Sequence, residues 1–448
     1  MMKKLLPLLT ATLLTFTAQA QDFPETPKSI ELSPEAHALV KGNNDFAFRL
    51  FRSVRNDNNL VVSPLSITYA LGMLNNGAAG VTRQEICQTL GFGDTGADGI
   101  NDFCKKMRTE LPALDEQTKV MISNAIFLNE PRHLLPDFEQ KAHDYYDATT
   151  ETRNFGDGET MKVINQWGSD HTMGMIPTIL DEQSFNPLAT SYLLNAVYFK
   201  GIWMLKFDKS ETQEELFDGA VNVPMMHMLN GLPYYENATF QALALPYGTG
   251  AYQMTVILPR EGKSINDIIA QMNSNMWKEL YMNMTSVDVK LPRLDITTQL
   301  NLVKTMSALG MPSAFDSEAD IPNFCDNPQF ISDMGQVAKI KLDEEGTEAA
   351  AITWIEAAEA ISTDPEPVII EFHANRPFLY VISEQSTGVI LFIGQFTGKN
   401  ATGTMPSSVK VPTRKPSEPS AVYDLSGRRL KGRPTKGFYI SDGRKVIR

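Results

Sequence analysis

Leu342-Asp-Glu-Glu-Gly-Thr-Glu-Ala-Ala-Ala-Ile-Thr-Trp-Ile-Glu-Ala-Ala-Glu-Ala-Ile-Ser-Thr-Asp-Pro-Glu-Pro-Val368 is the stretch on which the fold turns. It has two local readings. At a period of 3.6 its Ala- and Glu-rich run makes a good helix. At a period of 2, Thr347, Ala349, Ala351, Thr353, Ile355 and Ala357 share one face, and all are small or apolar. The other face carries Glu348, Ala350, Ile352, Trp354, Glu356 and Ala358. A strand entering the middle of a sheet needs an uncharged inner row of that kind, with its charges kept outside. Gly346 supplies a hinge whose φ is free. Composition alone favours an exposed helix, and the segment can equally be a loop or a buried strand.

The rest of the chain shows no local catalytic signature. Gly91-Phe-Gly93-Asp-Thr-Gly96 matches G-x-G-x-x-G. A dinucleotide site needs a strand before those glycines and a helix after them. Here Val81–Leu90 reads as a helix, so Gly91 is expected to cap it. The six histidines, His37, His133, His143, His171, His227 and His373, form no H-E-x-x-H, and there is no G-x-S-x-G elbow. Isolated histidines of this kind are expected at the surface or beside caps. Cys87, Cys104 and Cys325 have neither CxxC nor zinc-ligand spacing and are expected to be buried thiols.

The 448 residues are 42% hydrophobic and carry a net charge of −13, an ordinary globular composition. Length suggests two or three domains or one large one. The acidic balance excludes a nucleic-acid partner that works through counterion release. The charge is uneven: from Ala401 to Arg448 there are 11 Lys and Arg against 3 Asp and Glu, so an acidic body ends in a basic tail. At the other end, Lys3 and Lys4, the apolar Leu5–Phe16 and the small-x-small Ala18-Gln-Ala20 read as a signal peptide over residues 1–20. That apolar run is short of the roughly 20 residues that span a bilayer, and no other stretch is long enough, so no membrane span is expected. Residues 21–37 form a lead, and 400–420 are a Pro- and Ser-rich linker. In residues 421–448, two pieces alternate apolar and polar residues around Gly turns and read as short strands. They resemble the C-terminal tails of secreted bacterial proteins, in which such tails act as sorting signals. The expected location is therefore extracellular, at the cell surface or periplasmic.

Resemblance decides between the readings of the central stretch. Glu344-Glu-Gly-Thr-Glu-Ala-Ala-Ala351 resembles the reactive-loop hinge of the serpins. Asn375-Arg-Pro-Phe-Leu-Tyr380 and Thr387-Gly-Val-Ile-Leu-Phe-Ile-Gly394 are similar to that family's signature and closing strands. Asn59-Leu-Val-Val-Ser-Pro-Leu-Ser-Ile67, Asn195-Ala-Val-Tyr-Phe-Lys-Gly-Ile-Trp203, Val223-Pro-Met-Met226 and Leu291-Pro-Arg-Leu294 fit in the expected order, so the likeness covers residues 38–399. It implies an α+β domain with three β-sheets, about nine helices and an exposed reactive-centre loop. The implied activity is suicide inhibition of a serine protease, or of a cysteine protease. The target's own nucleophile attacks the loop, and the cleaved loop enters the main sheet and traps the acyl-enzyme. The chain is then bait rather than enzyme. It works without cofactor or metal, as a monomer, and without a heparin-like activator, given its acidic body.

The likeness also assigns residues. Glu345, Gly346, Thr347, Glu348, Ala349, Ala350 and Ala351 make the hinge. Counting 15 residues on from Gly346 puts the scissile bond at Ala360–Ile361, with Ala357, Ala358 and Glu359 as alternative positions. Ser63, Ser66, Asn195 and Gln336 correspond to the polar cluster beneath the strands that part, and Trp203 to the residue beneath the point of first insertion. Gln336 stands where the family often has His. A small residue before the cut suits an elastase-like pocket, while Glu359 also admits a Glu-preferring protease, and subtilisin-like and papain-like enzymes remain compatible. A trypsin-like target is disfavoured because no Lys or Arg occurs between Lys341 and Arg376. A member with bulky or charged residues at the hinge would instead be a non-inhibitory binding or carrier protein.

Overall fold

The computed structural model describes residues 27–347 apart from 183, 281, 327–329 and 332–333, then residues 368–399 and four short strands of the tail. Two compact units separate at Gly403 and Thr404. The described residues of the larger unit hold nine α-helices and two β-sheets.

The six-stranded sheet runs Leu294–Asn301, Gly335–Asp343, Gly346–Thr347, Ser191–Ile202, Thr118–Asn129 and Thr149–Arg153 in spatial order. Its long strands alternate. Gln336, Ala338, Ile340 and Leu342 are buried while their neighbours are partly or fully exposed, which is what a sheet with one face on a core requires.

The nine-stranded sheet is continuous, but its two halves meet only through Tyr234, Tyr235 and Glu236, the end of the long Val221–Glu236 strand. With the six-stranded sheet, these two halves correspond to the expected three. In one half, Phe378–Glu384 and Ile390–Phe396 are buried at every residue. Burial on both faces explains why they appear in the sequence as continuous apolar runs.

Helix Pro64–Gly77 fills the space between the sheets. Ser63 caps it, its Oγ accepting the Ser66 N–H, and Pro64 sits in the first turn, where no N–H is needed. The helix is buried nearly all round, as an element packed on every side must be. The Gly91 motif proves structural. Helix Gly80–Thr89 precedes it, Gly91 has φ +82°, and a Cβ on it would lie 2.1 Å from the Gly42 carbonyl oxygen. Two backbones touch there, leaving no cradle for phosphate. Cys87, Cys104 and Cys325 are buried, and no disulfide joins them.

The tail unit contains a four-stranded antiparallel sheet of Val422–Tyr423, Arg429–Leu430, Phe438–Ser441 and Arg444–Ile447, which matches the strands expected there.

Candidate functional site: a sheet opened at one end

Gly346 and Thr347 form a strand of two residues that pairs with strands on both sides. Thr347 lies opposite Leu342 on one side and Gly201 on the other, and Gly346 lies opposite Asp343 and Ile202. Among the described residues, Gly335–Asp343 and Ser191–Ile202 are not ladder partners of each other. They are bridged at one end only. Further along, a cleft lies between them, lined by Val197, Tyr198 and Phe199 from one strand and Lys339 from the other, with Thr172, Met175 and Ile176 over it.

Each part of this hinge has an identifiable support. Gly346 has φ +145°, and a Cβ there would lie 2.1 Å from the Gly201 carbonyl oxygen, so only glycine fits. The Thr347 side chain points inward, its Oγ1 2.7 Å from the Tyr247 hydroxyl. Tyr247 stacks on Trp203 with ring centroids 4.3 Å apart and planes at 12°. Trp203 in turn holds the turn before Gly346, its indole N–H donating to Asp343 O (2.9 Å) and its backbone N–H to Glu345 O (2.8 Å). The resemblance implies that Trp203 lies at the insertion point; in the structure it contacts the turn that leads into Gly346.

Two carboxylates anchor the same turn. Glu344 is buried and accepts from Arg293 Nε (2.8 Å), Arg293 Nη2 (2.5 Å) and Thr212 Oγ1 (2.5 Å). Glu345 pairs with Lys206 (2.8 Å) and Lys209 (3.1 Å). Burial alone would raise the Glu344 carboxyl, but the bonds from Arg293 and Thr212 outweigh it and hold it below the usual carboxylate range. The Lys206 contact lowers Glu345 likewise. A carboxyl lowered on folding stabilises the fold fully above its unfolded value, and the contribution is lost as pH falls through the lowered value. We expect the anchor to be intact above the ordinary glutamate range and to weaken progressively as pH falls below it. The check is thermal inactivation of wild type and Glu344→Gln across pH 3–7. Wild type should be the slower to inactivate near neutrality, and the difference should vanish at the acid end.

Of the polar cluster, the structure brings three members together. Gln336 is buried, its Nε2 donating to Ser63 O (2.8 Å) and its Oε1 accepting the Ser63 N–H (3.1 Å). Ser63 Oγ donates to Leu391 O (2.8 Å) while capping the helix through Ser66. An amide carries both a donor and an acceptor, so Gln336 ties the strand to the helix cap without a His. Asn195 lies in a separate set across the opening. It donates to Ser123 O (3.2 Å) and Asn124 Oδ1 (2.8 Å), and its own Oδ1 is buried without a hydrogen-bond partner among the described residues. The expected single cluster is therefore two clusters, because the strands carrying them stand apart.

Glu348, Ala349, Ala350 and Ala351, and the bond candidates Ala357, Ala358, Glu359, Ala360 and Ile361, lie outside the described residues, as do residues 1–26 with the expected signal peptide. Sequence reasoning missed Arg293, Lys206, Lys209 and Tyr247, which come from three separate places in the chain. It also missed a pairing of histidines. Asp288 accepts from His227 Nε2 (2.6 Å) and His373 Nε2 (3.0 Å), linking three adjacent strands on a sheet face. No local spacing signals either set.

Comparison with known proteins agrees with this architecture. The family model described as "Serpin (serine protease inhibitor)" matches residues 41–398. The chain belongs to the serpin family. This serpin is 30% identical to human Serpin B3 over 390 residues, covering 81% of this chain and 99% of that one. It is 30% identical to plasminogen activator inhibitor 1 of Bos taurus over 370 residues, covering 78% and 90%. Among solved structures, tengpin, a thermophilic serpin, in its native state superposes with a TM-score of 0.73 at 28% identity, covering 82% and 95%. Human thyroxine-binding globulin does so with 0.73 at 28%, covering 81% and 98%. Many serpins are protease inhibitors that target proteases. Among the described residues, no helix is long and apolar enough to cross a membrane.

Proposed function

We propose that this serpin is an exported suicide inhibitor of a serine protease, with a cysteine protease as a secondary target class. The observation that carries the reading is the Gly346–Thr347 strand, already hydrogen-bonded between two strands that make no ladder with each other. Continuing its register puts Ala349 opposite Phe199 and Ile340, and Ala351 opposite Val197 and Ala338. All four of those partners point into the core. Two residues further, the same register would set an inserted Thr353 between Asn195, whose Oδ1 has no hydrogen-bond partner among the described residues, and Gln336. The small, uncharged row read at period 2 thus fits the open slot rung by rung, and its one polar member past the hinge falls on a polar rung.

Insertion after acylation drags the protease's acylated serine away from its histidine and oxyanion hole. Deacylation requires both, so the ester persists. A cut at Ala360–Ile361 presents a small side chain to the target and favours an elastase-like enzyme. The signal peptide serves export, and the basic tail serves sorting after it. The similarity to thyroxine-binding globulin supports a second reading, a carrier that does not trap proteases.

One gel separates the two. The protein without its first 20 residues is mixed with pancreatic elastase, subtilisin and trypsin and run in SDS. A covalent band at the summed mass with elastase or subtilisin is the expected result. Clean cleavage with full protease activity remaining would sink the inhibitor reading. Sequencing the released C-terminal fragment identifies the bond.

A further inference from the structure

The sheet face beside the C-terminal foot of the reactive segment carries an exposed apolar strip. Between Met284 and Lys290 the even-numbered residues are exposed or half-exposed, while Val287, Val289 and Leu291 are buried. Met284 is on the solvent side, 70% exposed, opposite Pro233. Leu229, 57% exposed, lies opposite Asp288 on the same face. The next strand begins at Ile370, which pairs with Val287, and the two residues leading into it, Val368 and Ile369, are 78% and 51% exposed. Met284, Val368 and Ile369 therefore gather where the chain re-enters the fold, and Leu229 extends the strip along the face as far as Asp288. Around Asp288, beside Leu229, charges are matched. His227 and His373 bond Asp288, and Lys290 bonds Glu215 at 2.7 Å. What the strip offers a partner is apolar contact.

Geometry selects the partner. Six residues lie between Ile361 and Val368, a tether of at most about 25 Å when fully extended. A protease of some 220 residues is a body roughly 40 Å across. An enzyme gripping Ala360–Ile361 is wider than its tether is long, so its surface is held within reach of whatever flanks Val368. We propose that Leu229, Pro233, Met284, Val368 and Ile369 form a second contact for the target protease, one that speeds its capture by apolar burial around the bait. This rests on the inhibitor reading and on the position of the cut.

The test compares wild type with Leu229→Glu/Met284→Glu, using whichever of pancreatic elastase and subtilisin attacks wild type faster. Both sites are exposed, so thermal unfolding should be unchanged, and the milder Leu229→Ser/Met284→Ser pair provides a graded second variant. The expected result is an association rate constant lower by about tenfold in the Glu pair, and by less in the Ser pair, with the stoichiometry of inhibition unaltered. Leu188→Glu, at an exposed apolar site elsewhere, should leave the rate at the wild-type value. If wild type is cleaved without being trapped, the inhibitor reading falls, and kcat/KM for cleavage of the segment then reports on the strip. A rate for the Glu pair within twofold of wild type overturns the proposal. So does an equal loss in Leu188→Glu. Wild-type dimers in sedimentation that the Glu pair lacks, with capture unaltered, would assign the strip to self-association instead.

Discussion

Thr347→Arg is expected to turn the inhibitor into a substrate: the protease cuts it at the wild-type rate and is released active. Thr347 is the first residue whose side chain enters the sheet, and its hydroxyl meets Tyr247 in a site that burial keeps dry enough to push the Tyr247 phenol above its ordinary range. A guanidinium there has no carboxylate partner among the residues that line the rung, which are Leu342, Gly201 and Tyr247. Burying an unpaired charge costs several kcal/mol. If about 3 kcal/mol of that appears in the barrier to insertion, insertion slows about 100-fold and deacylation overtakes it. The SDS-stable band should disappear while both cleavage fragments remain. Thr347→Ser keeps the hydroxyl and should keep the band. Trapping by the Arg variant at the wild-type level would show that insertion does not pass through this rung.

Gly346→Ala should damage the fold before any protease is added. At φ +145° an L residue is strained, and the new Cβ would lie 2.1 Å from the Gly201 carbonyl oxygen and 2.8 Å from Ile202 Cα. Those are backbone atoms of a paired strand and cannot rotate aside. Either the two-residue ladder opens, with loss of the Trp203–Glu345 backbone bond, or the Ser191–Ile202 strand is displaced. We expect a loss of about 3 kcal/mol from backbone strain and clash together. For a domain of this size the apparent Tm then falls by on the order of 5 °C. Differential scanning calorimetry at several scan rates measures it and separates equilibrium from kinetic loss. An unchanged transition would mean that the hinge does not occupy the sheet in solution.

The parts of this machinery differed in how far they could be read in advance. Buried strands such as Phe378–Glu384 are visible as apolar runs, and the cap of the central helix is visible as Ser63-Pro64, because these depend on neighbours in sequence. The inner row from Thr347 to Ala357 is visible too, because a strand buries every second side chain. The anchors of the hinge are not. Arg293 reaches Glu344 from 51 residues away, Trp203 reaches Asp343 from 140, and Tyr247 reaches Thr347 from 100. Nothing in the local pattern around an Arg or a Tyr records which distant carboxylate or hydroxyl it will meet. For the same reason Asn195 was grouped with Ser63 and Gln336, when the opening between the strands puts it with Asn124.

By itself, the sequence determined the chemistry that insertion demands: a glycine with free φ, then alternate residues that are small and uncharged. It could not decide whether that stretch is helix, loop or strand, because the same residues satisfy both the helical and the strand period and a loop requires neither. Tertiary structure decided it for the first two residues. Gly346 and Thr347 are held as a strand because two flanking strands leave their edge donors and acceptors facing one another, too far apart to pair directly. A backbone placed between them satisfies both edges, and only a row of side chains this small leaves the core beneath undisturbed.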